Sequence, residues 1–478
     1  MPDIAHPAWW ESRLTKRFNI VLALVAVLIV GRLVFEEDVA WIGWLAAGAA
    51  ILGLSLIRWP YGALTVLIST SVMARFYVEM GGWKVRPEDV GVGVVTLMVA
   101  VALVFKKHEI RLTTLDYWLL AYIFMNYVSS AFGSPEPPAT LRWALQHNLA
   151  VLPYFLIRLL VQDTRTLRTA FRIFLLVGVG EAIYGIFCYL SYYFFDTTTG
   201  VEIGQYLSNV AGPYGSMFEA NLFGAYTGCC AVVFLALYLA GDRNRITNLI
   251  GFFITSVAMF VSLSRGALLA YVIALWWLYR KARRTGTKGR FKVAPFAVAV
   301  IVVILIAGTS VGNVIRERFG NLFQQGANEE TAFVRLVVYS VALLDVVKHP
   351  ILGTGTASFN LTFDWAEYVP NWSGEKTWIG NAPLRILHDT GILGLALFLG
   401  FLISIWLKIR RGLRSITPHV SILFALSGGA LLYSISFLST EGTDLAFFWV
   451  FMGLLVSAVF FGCGNESANH VAIDQRIV

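Results

Sequence analysis

Charge is scarce in this sequence. Asp, Glu, Lys and Arg make up 14% of the 478 residues and 57% are hydrophobic, whereas an ordinary soluble domain is about a quarter charged. That shortage excludes a soluble globular domain and points to a polytopic membrane protein. Alternating polarity is also missing. The apolar runs are continuous and about 17 to 25 residues long, which excludes a β-barrel and suits helices crossing a hydrocarbon core of about 30 Å. Cysteine is sparse: Cys188, Cys229, Cys230 and Cys463 have neither zinc-ligand spacing nor a disulfide framework, and read as packing residues. The N-terminal "MPDIAHPAWWESRLTKRFN" lacks a small-residue cleavage site, so the first apolar run is expected to be a retained span. Net charge is +8, yet the basic residues sit in short connectors rather than on one face. Membrane topology explains them, and nucleic acid is not expected as a partner.

What is present is a succession of apolar runs. Windows of about 19 residues place spans near 18–35, 40–57, 61–79, 88–105, 115–133, 142–162 and 168–192. Further spans fall near 214–240, 246–263, 265–280, 293–310, 388–407, 419–438 and 444–462. The expected fold is therefore an all-α polytopic membrane protein with about 12–14 transmembrane helices. Basic residues fall on alternate connectors, from Lys16 and Arg17 through Arg58, Lys106, Arg165 and Arg243 to "RKARRTGTKGRFK" and "KIRRGLR". These connectors are expected to be cytoplasmic, which turns residues 193–213 and 311–387 outward. Residues 311–387 stand out by length, and their aromatic and apolar content argues for order. Within them, residues 331–348 carry Phe333, Leu336, Val337, Ser340, Leu344 and Val347 at helical spacing, with Arg335 and Asp345 off the stripe, as in an amphipathic interfacial helix. Residues 355–380 read as an ordered cap. The chain divides into N-terminal helices (1–204), a second helical region (205–462) that includes the large loop (311–387), and a cytoplasmic tail (463–478). No internal repeat or paired broken span marks a transporter.

Charged groups at the bilayer edge are costly and so mark sites. In "VSLSRGALLAY", Arg265 falls where one span ends and the next begins; it can offer its donor fork to a phosphate or snorkel to head groups. Arg335 is a second anion ligand or a head-group contact. "GPYGSMFEANLFGAY" opens a span with Glu219 and Asn221 in its first turns, the latter substrate-binding or structural. "WIGNAPLRILHDTGILGLALFLGF" carries Asn381, Arg385, His388, Asp389, Gly391 and Gly394 into another span. His388 is a candidate general base or a hydrogen-bonded packing residue, and the loop carboxylates Asp364, Glu367 and Glu375 compete with it.

Taken in order, "SLSRGALLAY", "GPYGSMFEANLFGAY", "RLVVYSVALLDVVKHPILGTGTASF" and "GNAPLRILHDTGILGLALF" resemble the O-antigen ligase and O-antigen polymerase superfamily of bacterial envelope enzymes, over about residues 205–460. The resemblance implies a GT-C-like glycosyltransferase of the multi-span class in the bacterial inner membrane, its site facing the periplasm. It implies a polyprenyl-diphosphate-linked oligosaccharide as donor, a glycan or lipid as acceptor, and membrane lipids and polysaccharide assembly proteins as partners, with no cofactor and no metal. Arg265 and Arg335 match arginines implied to bind the diphosphate. His349, Pro350, Gly353 and Gly355 match a turn taken as structural. Two departures stand out. Gly380 occupies the position before Asn381 where many members, ligases especially, carry the histidine proposed as base, and Pro213 and Tyr214 stand where members commonly show an arginine.

The implied chemistry is inverting displacement at an anomeric carbon, with the acceptor hydroxyl activated on one side and diphosphate charge stabilised on the other. The leading expectation is a polymerase extending a lipid-linked exopolysaccharide or O-antigen. The alternatives are a ligase moving glycan to lipid A core or protein, and, from another class, a glycan or lipid transporter.

Overall fold

The computed structural model describes residues 59–80, 83–104, 112–203, 211–242, 244–284, 330–364, 378–414 and 420–462. Helices dominate them. In chain order these are α1 (Tyr61–Thr70), α2 (Pro87–Val104), α3 (Thr114–Phe132), α4 (Pro137–Leu160), α5 (Thr164–Phe195), α6 (Ala220–Ala240) and α7 (Arg245–Val261). There follow α8 (Arg265–Arg284), α9 (Glu330–Lys348), the short α10 (Ser358–Thr362), α11 (Ala382–Gly412), α12 (Val420–Ser436) and α13 (Ala446–Gly462). Four of them, α2, α5, α6 and α11, are long and apolar enough to cross a membrane. The expected spans at 18–35, 40–57 and 293–310 lie outside the described residues.

Local chemistry sets the helix ends. Thr113 and Asp116 form a capping box at α3, and the second Asp116 oxygen accepts from Tyr154 (2.8 Å) and Arg158 (2.9 Å) of α4. Asp163 caps α5 through Thr166 N (2.7 Å), and Asn381 caps α11 through Leu384 N (2.9 Å). Two expected spans are shortened. The run at 61–79 is helical only to Thr70, and the run at 214–240 starts at Ala220, because the Gly212-Pro213-Tyr214-Gly215 stretch folds as strand and turn. The helical architecture is consistent with the all-α polytopic expectation, and two short antiparallel strand pairs accompany it: β1 (Val78–Met80) with β2 (Trp83–Val85), and β3 (Val201–Ile203) with β4 (Ala211–Pro213). Both lie in connectors, where pairing satisfies backbone groups that no helix can.

One apolar core runs from Ala63 to Val459. The helix α6 is buried almost all round and packs against α5, α7, α8 and α12, which explains why it is apolar on every face. Close approach depends on small residues: Gly185 faces the Phe223 ring, Gly251 faces Phe234, and Gly428 faces Val232. The α9 helix forms over the expected residues but presents a different face. Val338 and Ala342 pack on Phe359 and Ile379, while Leu336, Leu344 and Val347 of the expected stripe are exposed. Both faces of α9 are apolar, so composition did not decide which would turn inward.

Connectors that the sequence assigns to one side meet one another. Arg75 N donates to Ser216 O (3.0 Å), Ser216 Oγ to Val72 O (2.9 Å), and Thr440 Oγ1 reaches Glu219 (3.4 Å). Gly212 lies against Ser262, and Gly133 against Gly353. One end of the bundle thus gathers segments 71–80, 83–86, 200–203, 211–219, 262–266, 349–358, 378–381 and 437–445.

Candidate active site

The segment joining α12 to α13, "FLSTEGTDL" (437–445), is pinned from several sides. Ala382 N donates to Phe437 O (2.9 Å), Asn381 Nδ2 to Leu438 O (2.8 Å), and Trp449 Nε1 to Thr443 O (2.7 Å). Buried Arg385 grips it with a two-pronged bond, Nη1 to Asp444 Oδ2 (2.5 Å) and Nη2 to Asp444 Oδ1 (2.6 Å), plus Nη2 to Thr443 Oγ1 (2.7 Å). His147 of α4 contacts the same carboxylate through Nδ1, and its Nε2 lies 3.4 Å from the Tyr122 hydroxyl.

Two carboxylates three residues apart therefore live differently. Burial pushes Asp444 up, but the Arg385 charge and then His147 outweigh it and hold the carboxyl well below its usual range. Glu441 accepts from Gly380 N (2.8 Å), while its other oxygen lies 3.6 Å from Arg385 Nε, beyond hydrogen-bond reach. Burial pushes Glu441 up to about 7 against the pull of Arg385.

Beside this segment, Glu219 precedes α6. Its carboxylate accepts from Asn221 Nδ2 (2.6 Å) and from Thr440 Oγ1 (3.4 Å). Burial raises its carboxyl, with Asn221 and the nearby Arg335 charge opposing. Arg335 and Tyr339 lie one turn apart on α9, and the Tyr339 hydroxyl donates to Gly380 O (3.3 Å). Gly380 is thus held between Tyr339 and Glu441. Its φ is +65°, and among the described residues a Cβ on it would have no neighbour closer than Trp378 O at 4.0 Å.

Arg265 opens α8 at a turn with an unusual backbone. Leu263 has φ +56°, a conformation costing a side-chain-bearing residue about 1–3 kcal/mol. Ser262 Oγ bonds Met259 O (2.6 Å) and Ser264 Oγ accepts from Ala267 N (3.3 Å), which hold the turn. Gly266, next in sequence, packs on Ser439: a Cβ there would lie 1.8 Å from its Oγ. Half-buried Arg265 is therefore set beside the 437–445 segment.

His388 belongs to a separate cluster. It is 1% exposed and lies 3.0 Å from Asp389 Oδ1, 3.2 Å from Thr354 Oγ1 and 3.7 Å from Asp345 Oδ2, with the Phe359 ring edge-on. The His388 interaction, opposed by burial, holds the Asp345 carboxyl below its ordinary range. Thr354 N donates to His388 O (3.0 Å), Gly355 N to Asp389 O (2.9 Å), and Ala357 N to Asp389 Oδ2 (3.0 Å). These bonds dock the turn at 349–355 into a kink of α11 at Gly391, where φ is +64° and ψ is −170°. Only glycine fits: a Cβ on Gly391 would lie 2.1 Å from Ile351 O.

Of the residues singled out from sequence, Glu219, Asn221, Arg335, Asn381 and Arg385 gather around the 437–445 segment, with Arg265 at its edge. His388 stands apart in the turn-and-kink cluster, Asp364 is exposed just beyond α10, and Glu367 and Glu375 lie outside the described residues. Sequence reading missed Thr440, Glu441, Asp444 and His147. The available signal was "STEGTDL", two carboxylates in a short connector between apolar runs. It also missed Arg75, whose guanidinium lies 5.0 Å over the Tyr214 ring and whose buried Nη1 has no hydrogen-bond partner among the described residues. A cation thus reaches the 212–216 turn from another segment.

Residues 250–399 match the family model described as O-antigen ligase. The match supports the O-antigen ligase/polymerase superfamily for that stretch. The matched stretch contains Arg265, Arg335, Asn381, Arg385 and the turn-and-kink cluster, whereas Glu219, Glu441 and Asp444 lie outside it. The match points to glycosyltransferase-like ligase or polymerase activity on lipid-linked glycans. Together with the apolar helices, the match points to a membrane protein. No curated protein matches the sequence.

Proposed function

We propose that the protein is a polymerase that extends a polyprenyl-diphosphate-linked polysaccharide, an exopolysaccharide or O-antigen, at the periplasmic face of the inner membrane. The observation that carries this reading is the convergence, at one end of the bundle, of Arg335, the Arg265 turn, Glu219 and the 437–445 segment. Arg265 and Arg335 meet the diphosphate, whose charge grows as the glycosyl bond breaks. Their planar forks suit phosphate oxygens better than an ammonium would. The acceptor hydroxyl attacks from the opposite side and inverts the anomeric carbon. Asn381 and Arg385 shape the acceptor side, because they hold the 437–445 segment in place. The burial and bonding of His388 support a part in holding the 349–355 turn rather than in proton transfer.

The family description favours a second reading, a ligase that moves the finished glycan to lipid A core or protein. Both are tested in proteoliposomes given a polyprenyl-diphosphate-linked repeat unit as the sole glycan. The polymerase reading expects longer lipid-linked chains together with free polyprenyl diphosphate. Release only after a lipid A core acceptor is added would replace it with the ligase reading, and glycan flux without release would make the protein a transporter.

A further inference from the structure

The reaction proposed above needs a group to receive the acceptor proton. Among the described residues, Asp444 and Glu441 of the 437–445 segment and Glu219 bonded to its Thr440 are candidates, and their bonding separates them. Asp444 is committed to a two-pronged bond with Arg385 and a contact with His147. Glu219 is held by Asn221 and Thr440 and lies under the charge of Arg335. Glu441 has one oxygen fixed by Gly380 N, while the other is 3.6 Å from an Arg385 that Asp444 already neutralises. The Gly380 that holds it carries no side chain, and among the described residues the nearest atom to its Cβ position is Trp378 O at 4.0 Å.

We propose that Glu441 is the general base that takes the proton of the acceptor hydroxyl, with Asp444 positioning it through Arg385. This assignment rests on the glycosyltransferase reading of the same site. In the step, the acceptor oxygen forms a bond to the anomeric carbon as the bond from that carbon to the diphosphate oxygen breaks. The bonding pair leaves with polyprenyl diphosphate. The hydroxyl proton moves to the Glu441 carboxylate and passes to water when product departs, so the carboxylate is regenerated.

A base must be unprotonated to act, yet basic enough to accept a proton near neutral pH. Two nearby acids whose environments drive them apart divide such roles. Among the described residues, the charged and titratable groups facing Glu441 are Arg385 and Asp389 from α11, Asp444 from its own segment and Tyr339 from α9. Burial is the largest influence on Glu441 and holds its carboxyl near neutrality.

The test uses the full chain in proteoliposomes with the polyprenyl-diphosphate-linked repeat unit, and follows polyprenyl diphosphate release and donor binding across pH 5–9. Glu441→Gln keeps an acceptor for Gly380 N but cannot take a proton. It is expected to lose transfer by about 100-fold or more, with donor binding unchanged, while wild-type transfer rises with pH to a plateau above about 7. Glu441→Asp, with a shorter carboxylate, is expected to keep partial activity and the acid limb. Transfer by Glu441→Gln within about threefold of wild type would overturn the assignment while the glycosyltransferase reading stands. If that variant is not recovered folded, a wild-type rate flat from pH 5 to 9, or full activity in Glu441→Asp, overturns it instead. A wild type that releases no polyprenyl diphosphate defeats both readings together.

Discussion

Arg385 is 3% exposed, and a buried guanidinium left without its carboxylate is among the more damaging single changes, at about 3–5 kcal/mol. Asp444→Asn is therefore expected to lower thermal stability sharply, by more than His147→Ala, which leaves the two-pronged bond intact; a melt in detergent checks the order. The depressed Asp444 carboxyl makes its contribution complete above the unfolded value of about 4, lost only as pH falls toward its lower folded value. Glu441 behaves oppositely. Its carboxyl is raised from 4.5 to about 7 in the fold, so between these values the folded state binds more protons than the unfolded one, and stability falls as pH rises across that window. Glu441→Gln should melt higher than wild type at pH 8 and close to it at pH 4. The reverse order would contradict a buried acid retained at the expense of stability.

At the scale of elements, backbone geometry makes sharper demands than side-chain type. Gly391→Ala places a Cβ against Ile351 O at φ +64° and should abolish recovery of folded protein, as should Gly353→Ala, whose Cβ would meet His388 O at 2.5 Å. Gly380→Ala meets no close neighbour among the described residues and is expected to carry the cost of a left-handed alanine, about 1–2 kcal/mol. Yields and melts of the three variants order these effects. The helices were legible in the sequence because a continuous apolar run of about 20 residues has one stable form in a bilayer. The kink at Gly391 was not legible, since glycine is common in apolar helices and its partner, the 349–355 turn, is distant in sequence. The site was half legible for a related reason. Arg385, Glu219 and Asn381 stood out as polar groups inside or at the rim of apolar spans. Glu441 and Asp444 occupy a connector, where charge is ordinarily cheap, and only packing reveals that much of this connector is buried. His147 was hidden within a span read as apolar.

Across the whole molecule, the meeting of alternate connectors at one end of the bundle is the property on which the functional reading depends. It yields a topological prediction. Cys188, Cys229 and Cys230 are buried, so with Cys463 replaced by serine the background labelling should be low. A cysteine at exposed Asp364 or Leu438 should react with an impermeant maleimide in right-side-out vesicles. One at exposed Arg410 should react only in inverted vesicles. The same end should hold the anion-binding groups: Arg265→Ala and Arg335→Ala are each expected to weaken binding of the lipid-linked donor about tenfold or more. The most direct measurement is polyprenyl diphosphate released by the reconstituted chain per repeat unit added to the growing glycan. One molecule released per unit added, reduced strongly in Arg335→Ala, is the expected result. Chain growth without release, or release indifferent to Arg265 and Arg335, would contradict a diphosphate-displacing site at this end of the bundle.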